Sequence, residues 1–129
     1  MCRDTRLMNI AIHATRLSKH RFQVAALIAK GSRILSIGIN KNKSHPKSIN
    51  SFTGQCGTIH AELDTILGVE RSNLEGATIY VARHLRSGGT GLAKPCKSCM
   101  HIIEAVGITR IVYTTNKGYS VERVYGENK

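Results

Sequence analysis

Residues 77–115 read ATIYVARHLRSGGTGLAKPCKSCMHIIEAVGITRIVYTT, and this stretch predicts a strand, a helix and a second strand. Residues 77–82 are β-rich, Pro95 stands where a helix can begin, Gly107 stands where it can end, and residues 110–115 are again β-rich. A crossover of this kind joins parallel strands and is right-handed in nearly all sheets. The stretch therefore predicts a sheet that is covered by helices.

The residues upstream add a helix, an antiparallel hairpin and a second crossover. Asp4 or Thr5 is the predicted N-cap of the first helix, and Thr58 is that of the second. The order α-β-β-α-β-α-β predicts a three-layer α-β-α sandwich with a mixed sheet, to which residues 121–125 could add a short edge strand. The predicted elements are a helix over 4–18, strands over 22–28 and 34–39, a long loop over 40–57, a helix over 58–68, a strand over 77–82, a helix over 95–107 and a strand over 110–115.

Length and composition predict one globular domain over residues 1–129. The 129 residues are 41% hydrophobic and include only two prolines, which excludes a fibrous or disordered chain. No apolar run reaches the roughly 20 residues that span a bilayer, and we expect a soluble, cytoplasmic protein with no membrane partner. Lys and Arg outnumber Asp and Glu by 19 to 8, and the net charge of +11 favours phosphate-bearing partners. A basic surface that only confers solubility would give the same charge.

Three residues have the types and spacing of a zinc site. Cys96 and Cys99 lie three apart, on one face of the predicted third helix, and His60 lies at the start of the second. Both helices begin beyond the carboxyl ends of parallel strands, where α/β sheets place ligands. Two thiolates and an imidazole select zinc, and three protein ligands leave the fourth position free for water, as in catalytic sites.

Glu62 is the predicted proton carrier. It lies two residues beyond His60, about 200° further round a helix, so it borders the pocket and does not bind the ion. A carboxylate there can take a proton from the zinc-bound water, pass it to a ring nitrogen and protonate departing ammonia. His-x-Glu followed by Pro-Cys-x-x-Cys is a known signature of zinc-dependent nucleobase deaminases.

With residues 60–62 (HAE) and 95–99 (PCKSC) the chain resembles the cytidine and deoxycytidylate deaminase superfamily, from the first helix to the fourth strand. Residues 59–67 (IHAELDTIL) look most like the metal helix of deoxycytidylate deaminases, and residues 107–113 (GITRIVY) like the strand after their cysteine helix. The resemblance implies a cytidine deaminase-like fold, a Zn²⁺ cofactor, hydrolysis of a cytosine base to uracil and ammonia, and a homo-oligomer.

The resemblance also implies contacts with the substrate. The backbone around Ala61 would border the pyrimidine, Asn40 would contact the sugar, and Pro95 is expected at the same pocket. Two features depart from the family: Asp64 stands where deoxycytidylate deaminases usually have Asn, and residues 83–94 are longer than their usual link.

Other interpretations of these residues stay open. Cys56 as a fourth ligand would give a closed Cys3His structural site with no room for water. The C-x-x-C pair would also serve as a redox pair, and Asn40 as a plain turn former. Arg83 and His84 are candidate substrate contacts near the mouth of the site, and the alternative for His84 is that it has no role in binding.

Charge bears on the substrate. Arg83, Arg86, Lys94 and Lys97 lie near the cysteine helix and favour a phosphate-bearing substrate. The chain has no Trp and two Phe, whereas proteins that bind polynucleotides usually stack bases on aromatic side chains. The first hypothesis is therefore a deaminase of a deoxycytidylate-like, cytosine-containing nucleotide. The second is a deaminase of cytosine in single-stranded DNA or RNA, and the third is a non-catalytic, zinc-stabilised nucleic-acid-binding domain.

Overall fold

The computed structural model describes residues 2–18, 23–40 and 60–124. The predicted long loop, apart from Asn40, lies outside these residues, as do Cys56 and Thr58. None of the described helices is long and apolar enough to cross a membrane. The elements are helices α1 (Arg3–Ala14), α2 (Ala61–Leu67), α3 (Arg71–Leu74) and α4 (Lys97–Ala105), a 3-10 turn (Thr15–Leu17), and strands β1 (Gln23–Lys30), β2 (Arg33–Ile39), β3 (Thr78–His84), β4 (Arg110–Thr115) and β5 (Gly118–Arg123).

The five described strands form one mixed sheet in the order β2-β1-β3-β4-β5. β1 is antiparallel to both β2 and β3, β3 is parallel to β4, and β4 is antiparallel to β5. β2, β3 and β4 therefore run in one direction, and both crossovers join parallel strands, as predicted. The edge strand β5 begins at Gly118, three residues before the predicted start, because a tight turn pairs Thr115 with Gly118.

Helices cover both faces of the sheet. In β1, Ala26 and Ile28 pack with the side chains of α2 and α4, whereas Leu27 and Ala29 pack with those of α1. All four are almost fully buried, because alternate residues of a strand point to opposite faces. The predicted three-layer α-β-α sandwich is confirmed.

The predicted N-cap of α1 is wrong. The N-cap is Cys2, which makes no capping hydrogen bond through its side chain. Asp4 instead accepts hydrogen bonds from the Arg110 guanidinium at 2.6 Å and from the Tyr80 hydroxyl at 2.6 Å, and the Thr5 hydroxyl lies 2.8 Å from that of Tyr119. Bonds to the sheet thus replace local capping and hold α1 against it.

The other helix boundaries also differ from the prediction. α2 begins at Ala61 with His60 as its N-cap, so Thr58 is not the N-cap. α4 begins at Lys97 with Cys96 as its N-cap, two residues later than Pro95. α4 ends before Gly107, whose φ of 90° is the left-handed conformation that follows many helices.

Candidate active site

α2 is pressed against the carboxyl end of β2. A Cβ atom on Gly38 would lie 2.5 Å from the Thr65 nitrogen and 2.9 Å from the Ala61 oxygen, so only glycine allows this approach. The Asp64 carboxylate accepts a hydrogen bond from the Ile39 N–H at 3.0 Å. These contacts hold the first turn of α2 at the edge of the sheet where the parallel strands have their carboxyl ends.

Three side chains with metal-binding atoms converge at the starts of α2 and α4. His60 Nδ1 lies 3.2 Å from Cys99 Sγ and 3.8 Å from Cys96 Sγ, and the three atoms lie within 4.8 Å of one another. A tetrahedral zinc ion would separate its nitrogen and sulfur ligands by about 3.6 Å, given typical bond lengths of about 2.3 Å to sulfur and about 2.0 Å to nitrogen. The three residues therefore fit the ion that the sequence predicts.

The side chains of His60, Cys96 and Cys99 shift one another's pKa values. Hydrogen bonds from Cys99 and His60 lower the pKa of the Cys96 thiol far below its ordinary value. The hydrogen bond to Cys96 and burial raise the pKa of Cys99, and the hydrogen bond to Cys96 raises the pKa of His60. A thiol must lose its proton to bind a metal, so metal binding at Cys96 and Cys99 would be linked to proton release.

Glu62 lies beside these three residues and is only 7% exposed. Burial raises the pKa of its carboxyl group above the ordinary value, and the nearby Cys99 thiol lowers it by a smaller amount. A raised pKa makes a carboxylate a better proton acceptor, which is what general base catalysis requires. The role of Glu62 as the proton carrier stays a prediction.

Three predicted substrate contacts lie at this edge of the sheet. Ala61 is fully buried in the first turn of α2, and Pro95 is buried directly before Cys96. The side-chain oxygen of Asn40 accepts hydrogen bonds from the Ser18 hydroxyl at 2.6 Å and from the Val24 N–H at 3.0 Å. Asn40 therefore has a structural role at the end of β2, and its contact with a sugar stays a prediction.

Arg83 and His84 end β3 on opposite faces of the sheet. Val81 belongs to the cluster that contains α2 and α4, and Ala82 to the cluster that contains α1. By the same alternation Arg83 falls on the face of the metal site and His84 on the face of α1. His84 Nδ1 is buried without a hydrogen-bond partner among the described residues. Contact of His84 with the substrate stays a prediction.

Sequence reasoning missed the contacts that hold the segment before Cys96. The buried Thr114 carbonyl accepts a hydrogen bond from the Ala93 N–H at 3.0 Å. Lys94 lies 3.3 Å from a Glu122 carboxylate oxygen, which also accepts a hydrogen bond from the Tyr113 hydroxyl at 2.5 Å. No local pattern indicates these pairs, since they join residues on different elements.

The site can be compared with known proteins. The family model of the cytidine and deoxycytidylate deaminase zinc-binding region matches residues 1–115. The chain belongs to this family. Among the residues that the structure describes, His60, Cys96 and Cys99 could hold the ion of this zinc-binding region.

Individual members of the deaminase family are similar over most of the chain. A deoxycytidylate deaminase of Mycobacterium phage D29 is 29% identical over 128 residues, which cover 85% of this chain and 92% of that protein. A cytidine deaminase from Burkholderia pseudomallei matches with a TM-score of 0.64 at 20% identity, over 92% of this chain and 91% of that one. A dCMP deaminase from cyanophage S-TIM5, solved in complex with dCMP and dUMP, matches with a TM-score of 0.59 at 20% identity, over 84% and 77%. The two structures support a cytidine deaminase-like fold.

Proposed function

We propose that the protein is a zinc-dependent hydrolytic deaminase that converts the cytosine base of a deoxycytidylate-like nucleotide to uracil. The observation that carries this proposal is the convergence of His60, Cys96 and Cys99 beside the buried carboxyl group of Glu62. The phage D29 relative is a deoxycytidylate deaminase, and the cyanophage structure holds dCMP and dUMP, which supports a nucleotide as substrate.

His60, Cys96 and Cys99 would hold the zinc ion. When bound, zinc supplies a Lewis acid that makes hydroxide available near neutral pH. Cys99 is buried whereas Cys96 is exposed, so within residues 60–124 the site is more accessible on the Cys96 side. A base can approach from there, with the backbone of Ala61, together with Pro95 and Asn40, as the proposed surroundings of the pyrimidine and the sugar.

Glu62 would carry out the proton transfers. Its carboxylate takes a proton from the attacking water as the water oxygen bonds to the ring carbon that bears the amino group. It passes this proton to the adjacent ring nitrogen, then takes the second proton from the hydroxyl group now on that carbon and gives it to the amino nitrogen as the carbon–nitrogen bond breaks. Water and cytosine thus become uracil and ammonia, and Glu62 returns to its starting state.

The net charge of +11 favours a second candidate, a deaminase of cytosine in single-stranded DNA or RNA. A polynucleotide that contacts several cations binds with an affinity that falls steeply with salt, whereas a mononucleotide shows a shallow dependence. The non-catalytic nucleic-acid-binding domain is less well supported, because it assigns no role to a carboxyl group buried beside the metal ligands.

The test is a chromatographic product assay on dCMP, deoxycytidine, cytidine, single-stranded DNA and tRNA, with Glu62→Gln as the matched variant. We expect the wild type to convert dCMP and the variant, with zinc still bound, to lose at least about a hundredfold in kcat, the low end of general acid–base contributions. Equal turnover by the two proteins would exclude Glu62 as the proton carrier. A zinc-loaded wild type that converts none of the five substrates would refute the proposed activity.

We further propose a cytoplasmic location and a homo-oligomer. Cys96 and Cys99 must stay reduced to bind a metal, which suits a reducing compartment. Light scattering of the purified protein would give the oligomeric state directly.

A further inference from the structure

The segment between β3 and α4 is inserted between the diverging ends of two parallel strands. β3 and β4 pair up to Val81 and Tyr113. Beyond that point the Gly91 N–H donates to the Arg83 carbonyl at 3.0 Å, and the Ala93 N–H donates to the Thr114 carbonyl at 3.0 Å. The returning chain therefore bonds to both strands at the edge of the sheet where the candidate site lies.

The Thr114 side chain links the end of β3 to the returning chain. It is fully buried, and its hydroxyl accepts a hydrogen bond from the Arg83 N–H at 3.0 Å and donates one to the Gly91 carbonyl at 2.7 Å. Both backbone groups of Arg83 are thus paired, the N–H with Thr114 and the carbonyl with Gly91. Buried bonds of this kind fix a backbone in one position.

The Arg83 side chain lies directly against Gly91, where the absence of a side chain leaves space for it. A Cβ atom at Gly91 would lie 3.5 Å from Arg83 Cδ and 2.8 Å from Leu85 Cδ2. The Arg83 stem is therefore packed against the returning chain, partly buried, on the sheet face that carries α2 and α4.

The other cations near the cysteine helix differ from Arg83 in exposure. Lys94 is exposed directly before Pro95. Arg86 is exposed in the glycine turn, and Lys97 is exposed at the start of α4. Of these four cations, Arg83 alone is partly buried with both of its backbone groups bonded, which reduces the entropy that a ligand must remove.

We propose that Arg83 determines specificity by binding the phosphate of the nucleotide, and that Thr114 is the positioning residue for Arg83. The proposal rests on the proposed function, because it assumes a nucleotide at the site. A guanidinium group offers two parallel N–H donors to a phosphate, a geometry that an ammonium group cannot provide. A free nucleoside would make no such contact.

The first experiment compares Arg83→Gln with Arg123→Gln on dCMP and deoxycytidine. Arg123 is exposed on β5 and lies opposite Arg110 in the β4–β5 ladder, at the end of β4 that is remote from the site. Arg123→Gln therefore removes the same charge far from the site. We expect Arg83→Gln to raise KM for dCMP about 10- to 100-fold, the range for a hydrogen bond to a charged group, and to leave KM for deoxycytidine unchanged. Equal effects on the two substrates, or an equal effect of Arg123→Gln, would overturn the proposal.

A binding measurement separates this inference from the activity itself. In the zinc-loaded Glu62→Gln protein, calorimetry should show dCMP binding more tightly than deoxycytidine, and Arg83→Gln should remove that difference. Equal binding of the two, or binding of neither, refutes the role of Arg83 even if cytosine is deaminated. Binding of dCMP that depends on Arg83, without turnover by the wild type, refutes the proposed function and leaves the assignment of Arg83 intact.

The role of Thr114 is tested by two substitutions. Thr114→Val removes the hydroxyl and should raise KM for dCMP, as Arg83→Gln does. Thr114→Ser keeps the hydroxyl and should have a KM for dCMP close to that of the wild type. Adding Arg83→Gln to Thr114→Val should produce little further change, because the two act through one contact. If Thr114→Val acted only by disturbing the structure, it would lower activity on deoxycytidine as much as on dCMP. That result would refute the role of Thr114 as a positioning residue.

Discussion

Replacing Gly38 with alanine is expected to displace the start of α2 and so disturb the metal site. The new Cβ atom would lie 2.5 Å from the Thr65 nitrogen and 2.9 Å from the Ala61 oxygen, both backbone atoms. Ordinary contacts of carbon begin near 3.5 Å, so the helix must move by about 1 Å. Overpacking of this kind costs about 1–3 kcal/mol of unfolding free energy.

The same displacement bears on catalysis because His60 and Glu62 lie in the moved turn. Metal sites tolerate deviations of about 0.2 Å in ligand distance, and a misplacement of about 1 Å can lower a rate about a hundredfold. We therefore expect Gly38→Ala to bind zinc more weakly and to lose about two orders of magnitude in kcat/KM for dCMP.

Gly68→Ala is the matched control at the other end of α2. There the new Cβ atom would lie 2.7 Å from the Ser36 hydroxyl oxygen, which can rotate away. Urea unfolding of the three zinc-loaded proteins measures stability, and a chelator competition assay measures zinc affinity. If Gly38→Ala matches the wild type within about 0.5 kcal/mol and keeps its zinc, α2 is not held at Gly38 and the reasoning is wrong.

Two further predictions concern metal binding and pH. Cys96→Ala should lose zinc and Cys56→Ala should keep it, as measured by metal analysis after dialysis; loss of zinc from the Cys56 variant would favour a closed Cys3His site. The hydrogen bond from Arg110 lowers the pKa of Asp4 in the folded protein, so its stabilisation is complete above the unfolded pKa of about 3.9 and is lost as pH falls through the folded pKa. Asp4→Asn should lower the unfolding free energy by about 1.5–3 kcal/mol at pH 7, and the difference from wild type should narrow below about pH 4, as followed by urea unfolding. A constant difference down to pH 2 would refute this role of Asp4.

The fold was predictable wherever a pattern was local and long. The fourth strand has the predicted bounds, Arg110–Thr115, because a continuous β-rich run follows a glycine that ends a helix. The N-cap of α1 was not predictable: Asp4 is a good capping residue, but its carboxylate bonds to Arg110 and Tyr80, which are distant in sequence. A charge-assisted tertiary hydrogen bond is stronger than a local cap, and the sequence alone does not indicate the partner.

The metal ligands of the candidate site were predictable from the sequence, whereas the position of Arg83 was not. The convergence of His60 with Cys96 and Cys99 follows from two β-α units whose strands run in one direction, and the residue types then indicate the metal. The position of Arg83 relative to that site depends on Thr114, for which no motif exists. Strand alternation could have placed Arg83 and His84 on opposite faces, because the bounds of β3 were nearly right.

The starts of α2 and α4, which carry the metal ligands, are positioned by different interactions. α2 is positioned by close backbone packing at Gly38, which tolerates no added atom. The start of α4 is positioned through hydrogen bonds to Thr114 and the Lys94–Glu122 pair, of which the latter is partly exposed and therefore weaker. An ion bound by ligands from both helices would join parts of the chain 36 residues apart and add its binding energy to folding. His60 is therefore the ligand whose position the fold fixes more firmly, and Cys96 the one whose position depends more on the ion.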